Sequence, residues 1–279
     1  MADKNTKEMS FLDHLEELRW MLVRSVSIIL VLAIIAFFFS DFIFTDILFG
    51  PKDPDFITYR FFCKVTQFFG FTDSDICNVE MPFIIQNTDM GGQVSLLIWV
   101  SITVGFVVGF PFILWEVWKF ISPALYSKEK KYAGAFVIIS SFLFFIGVLF
   151  GYFIITPLSV YFFGSFSTST EIVNEFNLES YTSMIKTSVI ACGVLFELPI
   201  IIYFLSKMGL VAPEFLKKYR KYALVIVLIV SAVITPPDVI SQVIVAIPIM
   251  ILYEFSILIS SLVTRKELKE LKESKKINS

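Results

Sequence analysis

Four uninterrupted apolar stretches, at 20–40, 94–118, 132–156 and 181–205, are each long enough to cross a bilayer as a helix. A hydrocarbon core about 30 Å thick takes about 20 helical residues, and within it every backbone polar group has to be satisfied internally. A fifth stretch, 222–263, is too long for one crossing and is broken by Thr235-Pro236-Pro237-Asp238, where two prolines stop a straight helix. It reads as a hairpin with arms at 222–235 and 239–254, each short enough to thin the bilayer or stop before its far face. The prediction is an all-α membrane protein of six transmembrane helices, forming one domain over 1–279. Composition agrees, with 56% hydrophobic residues and a mean hydropathy of +0.78, above the range of soluble domains. The polar first ten residues are followed by no small-residue cleavage site, so no removable signal peptide is expected.

Charge placement sets the orientation, because Lys and Arg accumulate in cytoplasmic segments. Of the 23 basic residues, all but Lys52, Arg60, Lys64 and Lys186 fall before or just inside the first span, between spans two and three, between four and five, or after the sixth. Both termini are therefore expected in the cytoplasm, with 264–279 as a basic tail. The two outer loops carry acids instead, among them Asp53, Asp55, Asp73, Asp75, Glu80, Asp89, Glu171, Glu175 and Glu179. A net charge of −2 offers nothing to attract nucleic acid.

The first outer loop, 41–93, is long enough to need structure of its own. It carries Cys63 and Cys77, which could pair in an oxidising compartment or stand as two unrelated thiols, since spacing does not give geometry. Cys192, inside the fourth span, reads as packing. The only histidine is His14, and no Cys or His cluster has metal-ligand spacing and no glycine-rich phosphate loop follows a strand. Neither an enzyme nor a cofactor is expected.

What remains are carboxylates at or inside membrane-facing helices. In the opening segment Ser10 to Arg19, Asp13 and Glu16 have spacing suited to a helix N-terminus. Leu12, Leu15, Leu18 and Leu22 share a face, and an amphipathic start at the interface brings Glu17 to the membrane boundary. In the second segment, Trp115 to Lys131, Pro123 breaks the helix and aromatic residues such as Phe120 suit an interfacial belt. Glu129 there either favours the dipole of the next helix or, ionised among Lys128, Lys130 and Lys131, presents a fixed anion. Glu197, in Phe196-Glu197-Leu198-Pro199, lies within an apolar span where an acid is expensive and by default functional. At the hairpin tip Asp238 suits an N-cap, and Gln242, one turn inside, needs a partner helix or Glu197 for its amide.

The segments His14-Leu15-Glu16-Glu17-Leu18-Arg19, Trp118-Lys119-Phe120-Ile121-Ser122-Pro123-Ala124-Leu125-Tyr126 followed by Glu129, Phe196 to Pro199 and Thr235 to Gln242 resemble, in this order, the TatC family. The resemblance covers nearly the whole chain, from Phe11 to about Val263, and the first outer loop with its two cysteines is longer than the family pattern. It implies a receptor of the twin-arginine translocase in the bacterial inner membrane. Glu17 and Glu129, with Phe120 and Arg19 beside them, would bind the paired arginines of a signal peptide. The six helices would form a concave face near Glu197. Glu197 and Gln242 would meet polar groups on single-helix subunits of the TatA and TatB type, and Pro123, Pro236, Pro237 and Asp238 would shape loop and tip. A multi-copy complex would export folded proteins on the proton gradient. Two other classes compete: a proton-coupled secondary transporter, against which stands the lack of an internal repeat, and an ion channel, for which Glu197 alone is thin support.

Overall fold

The computed structural model describes residues 11–68, 70, 77, 81, 83–121, 133–169 and 174–277. Helix dominates. The first and second spans are α1 (Phe11–Phe38) and, after the helix α2 (Ile57–Phe68) in the long loop, α3 (Gly92–Ile121). The third is α4 (Ala133–Phe150), a π-helical turn (Gly151–Ile155) and α5 (Thr156–Ser165). The fourth is α6 (Leu178–Phe196) and α7 (Leu198–Lys207). After the short α8 (Pro213–Lys218) come the hairpin arms α9 (Arg220–Ile234) and α10 (Val239–Ile277). Five of these segments are long and apolar enough to cross a membrane. The remaining arm, α9, has 15 residues and rises only about 22 Å.

Several boundaries differ from the sequence-based expectation. The first span begins at Phe11 rather than Trp20, because the leucine-bearing amphipathic turn joins it without a break. The third runs to Ser165 instead of ending near Thr156. Pro157 deprives the Phe153 carbonyl of its helical donor; the π turn absorbs the strain, and the Thr58 hydroxyl from α2 donates to that carbonyl. The basic segment after 254 is not a separate tail but continues α10 to Ile277, since nothing between Glu254 and Lys276 breaks a helix. The chain is also not helical throughout. β1 (Ile84–Gln86), from the long loop, pairs in parallel with β2 (Glu175–Asn177), Ile84 opposite Glu175 and Gln86 opposite Asn177.

Contacts divide the chain into two compact units, residues 1–40 with 94–142, and residues 41–93 with 143–279. In the first unit α1 and α3 meet at small residues, as helices do where lipid offers no hydrophobic drive to associate. A Cβ on Gly105 would stand 2.6 Å from the Ile29 carbonyl oxygen and 2.8 Å from the Ala33 nitrogen, so the two backbones touch there. The second unit repeats the device, with Gly147 and Gly151 against the backbone of α6 at Cys192 and Ser188. Its core gathers Ile155, Cys192, Val227, Val245, Ala246 and Ile249 from the third to sixth spans.

The long loop is tied to this second unit by tyrosines and a disulfide. The Tyr59 hydroxyl lies between the carbonyls of Pro51, at 2.8 Å, and Pro157, at 3.0 Å. Tyr152 donates to Ile47 and Tyr181 to Leu48. Phe83 is buried and stacks edge-on against Phe176 beside the two-stranded sheet. Cys63 and Cys77 are joined in a disulfide, their Cα atoms 4.8 Å apart.

Candidate functional site

The polar end of α1 carries a stripe of one character. Asp13, Glu16, Glu17, Trp20 and Arg24 recur at three- and four-residue intervals, so they share one helix face and together line an open cleft of about 340 Å³. Glu17 is the half-buried member, and its Oε2 is enclosed with no hydrogen-bond partner among the described residues. A carboxylate oxygen out of water without a donor is costly, and a cationic donor entering the cleft would remove that cost. Of the other residues singled out in the sequence, Arg19 is exposed, lies off the cleft-lining stripe and sets its guanidinium over the Trp20 ring at 5.5 Å. Phe120, at the end of α3, is brought to α1 by stacking on His14, ring centroids 4.5 Å apart. Glu129 and Pro123 lie outside the described residues.

The structure adds a charge cluster that reading the sequence passed over. Glu116 of α3 is buried, its side chain only 7% exposed. Its Oε2 accepts from Arg24 Nε and its Oε1 from Lys119 Nζ, both at 2.6 Å. Both carboxylate oxygens thus face cations, which is what a buried acid requires. The signal was present, because the rule that marks an acid inside an apolar stretch as Glu197 applies equally to Glu116, with Arg24 as a cation inside the first span.

Glu197 sits at the joint between α6 and α7. Its backbone keeps helical angles near φ −77°, ψ −7°, its carbonyl accepts from the Ile200 and Ile201 amides, and its side chain is buried. Pro199 follows in the first turn of α7, where its missing N–H is harmless. Gln242 does not turn to Glu197; its amide donates to the Leu228 carbonyl of α9 at 3.0 Å, binding the two hairpin arms. At the tip, Asp238 caps α10 by accepting from the Ser241 amide at 2.7 Å; Pro236 is buried and Pro237 exposed. Toward the other end of the hairpin Arg220 pairs with Glu254 at 2.6 Å. An apolar groove of about 600 Å³ runs along the same two arms, lined by Leu224, Leu228, Val243, Ile247 and Met250 together with one acid, Glu254. Among the described residues no group of His, Cys, Asp and Glu is arranged to hold a metal ion.

Comparison with known proteins bears on this arrangement of acids, hairpin and spans. The family described as Sec-independent protein translocase protein (TatC) matches residues 13–248. A Sec-independent protein translocase protein TatC of Blattabacterium sp. subsp. Periplaneta americana is 44% identical over 265 residues, covering 95% of this chain and 100% of that protein. The TatC of Aquifex aeolicus is 36% identical, covering 93% of this chain and 98% of that protein. A crystal structure described as the twin arginine translocase receptor TatC superposes with a TM-score of 0.67 at 34% identity, over 90% of this chain and 99% of that one. The stripe on α1, the Glu197 joint and the Pro-Pro hairpin are thus features of a six-helix, multi-pass membrane protein that belongs to the TatC family of Sec-independent protein translocase proteins.

Proposed function

We propose that this chain is the signal-peptide receptor of a twin-arginine translocase, binding paired arginines at the polar end of α1. The chain is a component of the Sec-independent translocase and not an enzyme. The observation that carries the finer reading is the enclosed, unpartnered Oε2 of Glu17 in a cleft shared with Asp13 and Glu16. A guanidinium is planar, always charged and able to meet a carboxylate through two parallel hydrogen bonds, whereas an ammonium meets it as a point charge. Glu129 supplies a second anion in this reading, Phe120 an aromatic wall beside His14, and Arg19 a cation at the rim.

The distribution of Lys and Arg supports placing both termini and this cleft in the cytoplasm, in the inner membrane of a bacterium. The partners in this reading are single-helix subunits of the TatA and TatB type, assembled in several copies and driven by the proton gradient. The groove along α9 and α10 supports a helix docking there, being lined by apolar side chains and a single acid, Glu254. Glu197 would meet a polar side chain of such a subunit. Gln242 is already engaged with Leu228 and is the weaker candidate for that contact.

Binding of a labelled peptide bearing Arg-Arg ahead of an apolar stretch, measured on the purified full chain, tests the proposal. The wild type should prefer Arg-Arg to Lys-Lys, and Glu17→Ala and Glu129→Ala should each weaken binding. Equal affinity for the two peptides, or small-solute uptake into vesicles holding this chain alone, would turn the reading toward a transporter.

A further inference from the structure

We propose that Glu116 is a positioning residue that keeps the arginine-binding cleft open by holding a competing arginine of the chain itself. The inference rests on the reading of Glu17 as the acceptor of a ligand guanidinium. Arg24 lines the same cleft, on the same face of α1 as Glu17 and two helical turns from it. Two turns amount to about 10.5 Å along the axis, a span that extended Arg and Glu side chains bridge between them. Left unpaired, Arg24 is the local guanidinium best placed to occupy Glu17, at the effective concentration of a tethered group.

The structure shows what prevents this. Arg24 Nε is drawn to Glu116 Oε2 at 2.6 Å, onto α3. Glu116 is held from the other side by Lys119 at 2.6 Å, and its own side chain is buried. Arg24 itself is half exposed at 51%, so its direction is set by this one acid rather than by packing. The chain therefore carries an internal mimic of its ligand together with the carboxylate that restrains it. The role is one of access and charge balance, and Glu116 touches no ligand.

The test is peptide binding to the full-length chain in detergent, using the Arg-Arg peptide over a range of salt. Glu116→Gln should bind about fivefold to tenfold more weakly at low salt, because a released cation within roughly a Debye length both competes with and repels the ligand. The deficit should shrink as salt rises, which a purely structural defect would not do. Adding Arg24→Gln to Glu116→Gln should restore binding to about the wild-type level or better, and Arg24→Gln alone should bind about twofold more tightly. The inference is overturned if Glu116→Gln binds as wild type does, or if the double variant stays as weak as the single one. Should Glu116→Gln fail to fold, weaker binding by Arg24→Gln alone overturns it. The two readings fail differently: a Glu17→Gln variant that binds as wild type does removes both, whereas loss in Glu17→Gln without loss in Glu116→Gln removes only this one.

Discussion

In the second unit, Tyr59, Tyr152 and Tyr181 each place a hydroxyl on a backbone carbonyl of the long loop or of α5, and Cys63 is covalently joined to Cys77. In the first unit, Glu17 keeps an enclosed oxygen with no partner among the described residues, beside Asp13 and Glu16. The loop brace uses its polar groups to close structure, whereas in the proposed reading the cleft keeps an acceptor for a ligand. Satisfied groups contribute to stability, while an unsatisfied buried acceptor is a standing cost retained where function requires it. The contrast predicts that damage to the loop brace lowers stability and spares peptide binding, and that damage to the cleft does the reverse.

The largest effect tests the brace. Replacing Cys63 and Cys77 by serine opens a loop of 14 residues and should lower unfolding stability by about 3 kcal/mol in the chain-entropy model. Thermal unfolding in detergent, with and without reductant on the wild type, measures this. Affinity for the Arg-Arg peptide should stay at the wild-type value, and a fall in affinity would break the division between the two regions.

Next in size is Tyr59→Phe, which leaves the carbonyls of Pro51 and Pro157 without their shared hydroxyl and should cost about 2 kcal/mol. Burial pushes the Tyr59 phenol well above its usual value. A group whose folded pKa is raised leaves stability untouched below the unfolded pKa, near 10, and erodes it as pH rises beyond that point. Wild-type stability should therefore fall more steeply on the alkaline side than that of Tyr59→Phe, with unfolding followed at several alkaline pH values as the check.

The same contrast explains what could be read from the sequence. The spans were legible because lipid demands runs of apolar residues, and the hairpin because Pro236 and Pro237 in succession, in the middle of an overlong apolar stretch, stop a straight helix. Glu17 and Glu197 were legible because an acid at or below the membrane boundary is anomalous in itself. Long-range pairing was not legible. Nothing in the spacing of Thr58 and Phe153 announces that one satisfies the other across 95 residues, or that Pro157 would be absorbed rather than end its helix. Glu116 was missed for a related reason: its anomaly was visible, but its two cations disguised it as part of a charged interfacial segment. The parallel pairing of β1 and β2, three residues each, joins residues 91 positions apart in two loops, between spans of far stronger signal.

A tenfold effect comes third and reverses the pattern. Glu17→Gln should weaken Arg-Arg peptide binding about tenfold, close to 1.4 kcal/mol, while leaving the unfolding temperature at or slightly above that of the wild type. The amide keeps the shape but removes the charge, and the enclosed oxygen has no partner among the described residues for the substitution to lose. Lower stability in this variant would show that Glu17 is held by the chain itself, and the proposed division would fail at its central residue.

The smallest effect compares two ion pairs of equal length. Arg24–Glu116 and Arg220–Glu254 both close at 2.6 Å, but Glu116 is 7% exposed whereas Arg220 and Glu254 are 50% and 45% exposed. An exposed pair gains little over hydration and is screened by salt, so Arg220→Gln should reduce stability by about 0.5 kcal/mol, less at high salt, and leave peptide binding alone. The hairpin has other holds at hand: Gln242 on Leu228, Tyr253 on Leu216, and the core around Val245 and Ile249. If Arg220→Gln instead destabilised by about 2 kcal/mol with no salt dependence, the pair would have to be shielded from water by lipid. The Arg220 end of the short arm α9 would then lie inside the bilayer, and Glu254 would join Glu116 among the acids this protein keeps out of water.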